Sequence, residues 1–199
     1  MIMQRYRTLE GKSTGTVREK ASKFIAIAFP ISDQDAFKTT LQALQKEHPT
    51  ALHFCYGRVL GTAGEDHRAN DDGEPHGTAG LPILRRIQAL ELTFCGVIVV
   101  RYFGGTLLGK AGLVHAYGDA AQLALEAGII TGKVVMEQAS VKVGYDRFEP
   151  IKAEVIACGG TILDTMFTDQ CLIHFSVPIG TMARLEEQWA PWGVSLVRK

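Results

Sequence analysis

A glycine-rich segment has the residue types and the spacing to bind a phosphate group. The run GGTLLGK fits the G-x-x-x-x-G-K spacing of a P-loop. Its candidate anion-binding residues are Gly104, Gly105, Gly109 and Lys110. Ala111 stands where a P-loop needs Ser or Thr to bind magnesium, so nucleotide hydrolysis is not predicted. Two interpretations stay open. The segment binds an anion through Lys110 and the N–H groups of a helix start, or its glycines only allow a tight turn.

A second, acidic segment carries three carboxylates within four residues. Its residues of interest are Asp71, Asp72, Gly73, Glu74, Pro75, Gly77 and Thr78. Three oxygen ligands so close together could bind Mg²⁺. They could instead pair with Arg68 or Arg101, or cap a helix that begins near Leu81. We adopt the structural pairing and predict no metal site.

The familiar catalytic and metal-binding motifs are missing from the sequence. The four cysteines form no C-x-x-C pair, and the six histidines show neither H-x-x-H nor H-E-x-x-H spacing. Nothing resembles the G-x-S-x-G motif of a nucleophilic serine. The sequence therefore predicts no cofactor and assigns no catalytic residue.

The charge balance restricts which partners the protein can have. The 199 residues carry 21 basic and 21 acidic side chains, so the net charge is zero. This excludes a uniformly basic nucleic-acid-binding protein but allows a local basic patch. One concentration lies in the first 23 residues and consists of Arg5, Arg7, Lys12, Arg18, Lys20 and Lys23. It is either a solvated strand face or a contact for a phosphate backbone.

The sequence also indicates where the protein works. The first residues, MIMQRYRTLEG, contain no apolar stretch typical of a secretion signal. Apolar runs such as Val97–Val100 are far too short to span a membrane. We expect a cytoplasmic protein with no membrane partner.

The pattern of apolar residues predicts an α+β protein. In the first part, strands are expected over residues 6–10, 15–19, 23–30, 52–60 and 97–102. Helices are expected from Ser32, with Asp35 in a variant capping box, from Pro82, and from the end of the glycine-rich segment to Ala127. Residues 61–80 and 104–112 are expected to be loops.

The second part has a different character. The expected elements are a strand over 134–144, a helix over 148–157, strands over 161–167 and 172–178, a helix over 182–189 and a strand over 194–198. The order β-α-β-β-α-β is typical of the ferredoxin-like fold. We therefore divide the chain into domains of residues 1–132 and 133–199.

Two long segments resemble the IMPACT/YigZ family. They are DDGEPHGTAGLPIL, Asp71–Leu84, and VVRYFGGTLLGKAGLVHAY, Val99–Tyr117. The resemblance implies that the first domain has the left-handed β-α-β fold of a small-subunit ribosomal protein and of domain IV of elongation factor G. It implies that the second domain is ferredoxin-like, similar to domain V of that factor.

The resemblance also implies a function. Those related domains contact RNA and the ribosome, and eukaryotic members of the family regulate translation. We therefore expect a non-enzymatic protein that binds RNA or the ribosome, with no DNA specificity. Arg68, Arg101, Lys110 and the helix start at Ala111–Gly112 would contact phosphates, and Tyr102 or Phe103 would stack on a base or lie in the core.

Two alternatives remain open at this stage. One is an enzyme that acts on an anionic small molecule between the two glycine-rich loops, with Asp72 or Glu74 as acid or base. The other is a protein-docking module that uses the sheet of the second domain.

Overall fold

The computed structural model describes residues 4–194 and 196–198 and divides them into two compact units. The first unit is Tyr6–Lys133, and the second contains the described residues from 134 onward together with residues 4 and 5. Both combine helices with sheets, so the α+β class predicted from the sequence is confirmed. Within the described residues, no helix has the length and apolar character needed to cross a bilayer.

The first unit contains a two-stranded and a five-stranded sheet. Its strands are β1 (Arg5–Leu9), β2 (Ser13–Glu19), β3 (Ser22–Pro30), β4 (His53–Leu60), β5 (Asp66–Asn70), β6 (Cys95–Tyr102) and β7 (Ile130–Val134). The first residue of β1 and the last residue of β7 belong to the second unit. Its helices are α1 (Gln34–Glu47), α2 (Gly80–Ala89) and α3 (Gly109–Glu126). The larger sheet has the antiparallel order β2-β3-β6-β4-β5, and β1 pairs with β7.

Different helices cover the two faces of the five-stranded sheet. Successive residues of a strand point to opposite faces. On β6, Val97 and Val99 join the core formed with α2 and α3, whereas Ile98 and Val100 join the core formed with α1. The apolar run that predicts this strand is therefore apolar because both of its faces are buried.

The second unit has one four-stranded antiparallel sheet. Its elements are β8 (Met136–Val143), α4 (Tyr145–Ala157), β9 (Thr161–Phe167), β10 (Cys171–Pro178), α5 (Met182–Trp189) and β11 (Leu196–Arg198). The strand order is β11-β8-β10-β9. Trp189 of α5 and Ile151 of α4 are fully buried in one apolar core with Phe175 of β10, whose ring centroid lies 5.8 Å from that of Trp189. The predicted element order β-α-β-β-α-β is the order observed.

Three local predictions are wrong. Residues 61–80 are not one loop, because β5 pairs with β4 inside this range. Asp33, not Ser32, caps α1 by accepting a hydrogen bond from Ala36 N at 2.8 Å. Helix α3 begins at Gly109 rather than after Gly112, so Lys110 lies in its first turn.

Candidate functional site

The acidic segment and the glycine-rich segment lie at the same end of the five-stranded sheet. Arg101, near the end of β6, stands directly opposite Phe24 of β3 and His53 of β4. All three side chains point to the face covered by α2 and α3. The acidic segment reaches this row through Glu74, and Phe103 leads from β6 into the glycine-rich segment.

Glu74 and Arg101 form a buried ion pair. Their side chains are 4% and 6% exposed, and the Arg101 Nη1 donates to Glu74 Oε1. The guanidinium also lies over the rings of Phe24 and Phe103, 5.4 and 5.3 Å from their centroids. Cation–aromatic contacts of this kind strengthen when water is excluded. The pair therefore ties the acidic segment to the end of β6.

Tyr117 of α3 completes this buried cluster. Its hydroxyl donates to Glu74 Oε1 at 2.7 Å and accepts a weak hydrogen bond from the thiol of Cys55 at 3.3 Å. Burial raises the pKa of the Tyr117 phenol, and the neighbouring Cys55 and Glu74 raise it further. Burial also raises the pKa of the Cys55 thiol. Both groups are therefore neutral hydrogen-bond donors: Tyr117 donates to Glu74, and the Cys55 thiol also lies 3.0 Å from the carbonyl oxygen of Asp71.

His53 sits at the rim of the cluster, with its side chain 22% exposed. Its Nδ1 lies 2.7 Å from the carbonyl oxygen of Asp72. A carbonyl only accepts, so Nδ1 carries the proton. Nε2 then faces Glu74 Oε1 across 4.0 Å. His53 is thus oriented by the acidic segment and lies next to its one buried carboxylate.

The other two acids shape the segment itself. Asp71 accepts hydrogen bonds from the backbone N–H groups of Gly77, Ala79 and Gly80 at 2.8–3.0 Å, which caps α2. Burial opposes ionisation of Asp71, but these three donors outweigh it and hold its pKa below the ordinary value. Asp72 accepts from Phe54 N at 2.6 Å. Two of the predicted contacts are present, the pairing of Glu74 with Arg101 and the capping of α2 by Asp71, whereas Asp72 instead binds the backbone of β4.

The glycine-rich segment packs on the turn between β2 and β3. Gly104 N donates to Ser22 Oγ at 3.2 Å, and Lys20 Nζ donates to Leu107 O at 3.0 Å. A Cβ at Gly104 would lie 2.0 Å from the backbone of Ala21, so only glycine allows this approach. The turn and the segment consequently bring Lys20 close to the start of α3.

The structure does not bring all predicted site residues together. Arg101 is buried and bound to Glu74, so it is closed to a phosphate in this arrangement. Tyr102 points to the opposite face, where its hydroxyl bonds to His48 Nδ1 at 2.8 Å. Arg68 lies on edge strand β5, about 19 Å across the sheet from edge strand β2. Lys110 is exposed in the first turn of α3.

The remaining predicted residues are backbone positions. Gly105 and Gly109 have φ of 84° and 72°, and Gly73 and Gly77 have φ of 86° and 73°. The hydroxyl of Thr78 donates to the carbonyl of Pro75 at 2.6 Å. These residues set the path of the two segments.

The sequence did not single out Tyr117 or Cys55 as site residues. The signal that was available is the phenolic hydroxyl of Tyr117 on a helix face of small residues, since a buried tyrosine needs a hydrogen-bond partner. Its partner, Glu74, lies 43 residues away in the sequence, so periodicity gives no hint of it.

The carboxylates of the cluster are engaged by the protein itself. Asp72 and Glu74 already accept hydrogen bonds from protein donors. Within the residues that the structure describes, no group of three His, Cys, Asp or Glu side chains is placed to hold a metal ion. The cations that the site exposes to solvent are Lys20 and Lys110, beside the glycine-rich segment, and Asp72 of the acidic segment is exposed as well.

Comparisons with known proteins agree with the sequence motifs. Residues 20–125 match the model of the Impact N-terminal domain. The chain is 31% identical over 173 residues to the IMPACT family member YigZ of Escherichia coli, covering 86% of this chain and 85% of that protein. A crystal structure of a hypothetical protein is 28% identical, with a TM-score of 0.77 over 98% of each chain. The structure of the two-domain translational regulator Yih1 is 22% identical over 60% of this chain and 48% of that one, with a TM-score of 0.40.

Proposed function

Because the chain belongs to the IMPACT family, we propose that it is a non-enzymatic protein that associates with RNA or the ribosome and influences translation. In this proposal, residues 1–132 and 133–199 are the two domains predicted from the sequence. The first resembles domain IV of elongation factor G, and the second is ferredoxin-like.

One observation supports this function best: the turn between β2 and β3 and the glycine-rich segment form a single basic surface. Lys20 reaches the segment through the carbonyl of Leu107, three residues before Lys110. Both lysines are exposed, and neither forms an ion pair in the part of the chain that the structure describes. Two uncompensated cations beside a helix start attract phosphate groups.

The start of α3 adds backbone donors to this surface. Leu108 precedes the helix and provides no side-chain cap. Among the residues that the structure describes, no side chain caps the first N–H groups of the helix, near Ala111 and Gly112. In this proposal Arg101 does not contact phosphate itself. It holds the acidic segment at this end of the sheet through its ion pair with Glu74.

Zero net charge sets the expected strength of binding. Distant acidic groups weaken the field of the basic surface, so contact with RNA depends on local cations and is sensitive to salt. Each lysine that contacts a phosphate contributes about one unit to the slope of log affinity against log salt.

Co-sedimentation with ribosomes tests this proposal. The full chain is run on sucrose gradients from lysate at two salt concentrations, with and without RNase. We expect it to migrate with ribosomal subunits at low salt, less at high salt, and not after RNase. A chain that stays at the top of the gradient at low salt would contradict the proposal. Migration that resists RNase would instead indicate protein docking.

A matched pair of variants locates the contact. Lys110→Ala is expected to weaken binding and lower the salt slope by about one unit. Lys152→Ala, which removes a lysine on α4 in the second unit, is the control and is expected to leave the slope unchanged. Equal salt slopes for Lys110→Ala and the wild type would show that Lys110 does not contact a phosphate.

A further inference from the structure

Edge strand β2 has one face that no helix of the described residues covers. Helix α3 packs directly on the other face, where a Cβ at Gly15 would lie 2.5 Å from Ala124 N. Residues of β2 alternate between the faces, so Thr14, Thr16 and Arg18 point away from α3, and all three are exposed. We call this surface, together with Lys23 of the adjacent β3, the open face.

Two cations stand directly opposite each other on the open face. Arg18 pairs in register with Lys23. Neither forms an ion pair with any described residue. Like charges directly across two strands destabilise a sheet. The opposed Arg58 and Arg68 at the other edge differ, because Asp66 binds the Arg58 guanidinium at 3.0 Å.

No carboxylate on the neighbouring strands relieves this repulsion. On this side of β2, β3 and β6, the exposed or half-buried residues are Thr14, Thr16, Arg18, Lys23 and Tyr102, whereas the core formed with α1 includes or packs against Ile25, Ile27, Phe29, Ile98 and Val100. Glu19, the one acid of β2, pairs with Ser22 and points to the α3 side. The open face therefore offers cations and hydroxyl groups that suit a polyanion.

An aromatic ring continues the same row. Tyr102 lies directly opposite Lys23, on the side away from Arg18. Its hydroxyl is fixed by His48 Nδ1 at 2.8 Å, and the residue is half-buried. A ring held in place beside cations can stack on a base at little cost in side-chain entropy.

From this row we propose that single-stranded RNA binds across the open face, with phosphates on Arg18 and Lys23 and a base on Tyr102. This inference rests on the proposed function and names its substrate class. A duplex keeps its bases stacked on each other, so it cannot offer one to Tyr102. Stacking and phosphate contacts read no base edges, so binding tolerates any sequence.

Fluorescence anisotropy of the full chain tests the inference, with labelled oligouridylate, oligoadenylate and an RNA duplex of the same length as probes. We expect both single strands to bind more tightly than the duplex. Arg18→Ala should lower the salt slope for single strands by about 0.7. Tyr102→Leu should weaken binding about fivefold or more, while Tyr102→Phe, which keeps the ring, should bind nearly as well as the wild type.

Arg85→Ala is the matched control, because Arg85 is an exposed arginine on α2, which covers the opposite face. It removes the same charge and should leave the slope unchanged. If Arg18→Ala and Arg85→Ala give the same salt slope, or if the duplex binds more tightly than the single strands, the open face is not the site. The protein would then still bind RNA, but at another surface. If the wild type binds none of the probes and does not co-sediment with ribosomes, the proposed function itself fails.

Discussion

Arg101 and Arg18 belong to the same sheet but have opposite surroundings. Arg101 is buried, with Glu74 as its counter-charge and rings on two sides. Arg18 is exposed, with Lys23 directly across and no counter-charge among the described residues. A charge that the fold satisfies holds segments in place, whereas a charge that it leaves unsatisfied is available to a partner. The three predictions below test this contrast.

Removing the buried carboxylate should have the largest effect. Glu74→Ala leaves the Arg101 guanidinium and the Tyr117 hydroxyl without their acceptor. Loss of one partner of a buried ion pair costs about 3–5 kcal/mol. We expect the free energy of unfolding in urea to fall by that amount. Glu74→Gln, which keeps an oxygen acceptor, is the control and should cost less. Equal unfolding free energies for Glu74→Ala and the wild type would show that the pair does not hold the fold.

The helix cap provided by Asp71 should have an intermediate effect that depends on pH. Its pKa in the folded protein lies below the ordinary value of 3.8. Its stabilising contribution is therefore complete above that value and is lost as the pH falls through the folded pKa. We expect Asp71→Asn to lower stability by about 1–2 kcal/mol at pH 7. The difference from the wild type should shrink below about pH 4 in thermal or urea unfolding. A difference that does not change with pH would contradict ionisation as its source.

The smallest expected effect has the opposite sign. Arg18→Gln removes the repulsion with Lys23, so the free energy of unfolding should rise by about 0.3 kcal/mol at low salt. In 1 M salt, exposed charges are screened and the gain should vanish. Urea unfolding at the two salt concentrations measures both. If Arg18→Gln lowers stability at low salt, an attractive contact of Arg18 outweighs the repulsion.

The sequence predicts elements best where periodicity comes from a buried face. The strand over β3 and the helix Met182–Trp189 follow from their apolar spacing. Strand β5 escapes prediction because Ala69 is the only apolar residue of DHRAN and the strand lies at a sheet edge. It is a strand because it pairs with β4 in a hairpin across residues 61–65, and it lacks the apolar alternation by which a half-buried strand is recognised.

The sequence singles out the residues of the candidate site, but it does not show which of them are buried and hold the fold and which face solvent. The spacing of the acidic and glycine-rich segments singles out Glu74, Arg101 and Lys110. It cannot show that Arg101 is covered while Lys110 is exposed, because burial depends on Tyr117 and Phe103 closing over the sheet end. Likewise, the N-terminal basic residues become a row with Tyr102 only through the order β2-β3-β6.

The contacts of Glu74 also restrict how the acidic segment can move. Opening this segment alone would leave the Arg101 charge buried without a counter-charge, which is costly. We therefore expect the segment to open only when the sheet unfolds. The amide hydrogens of Gly77, Ala79 and Gly80 lie where the acidic segment meets α2. They should nevertheless exchange with solvent water as slowly as those of the central strands.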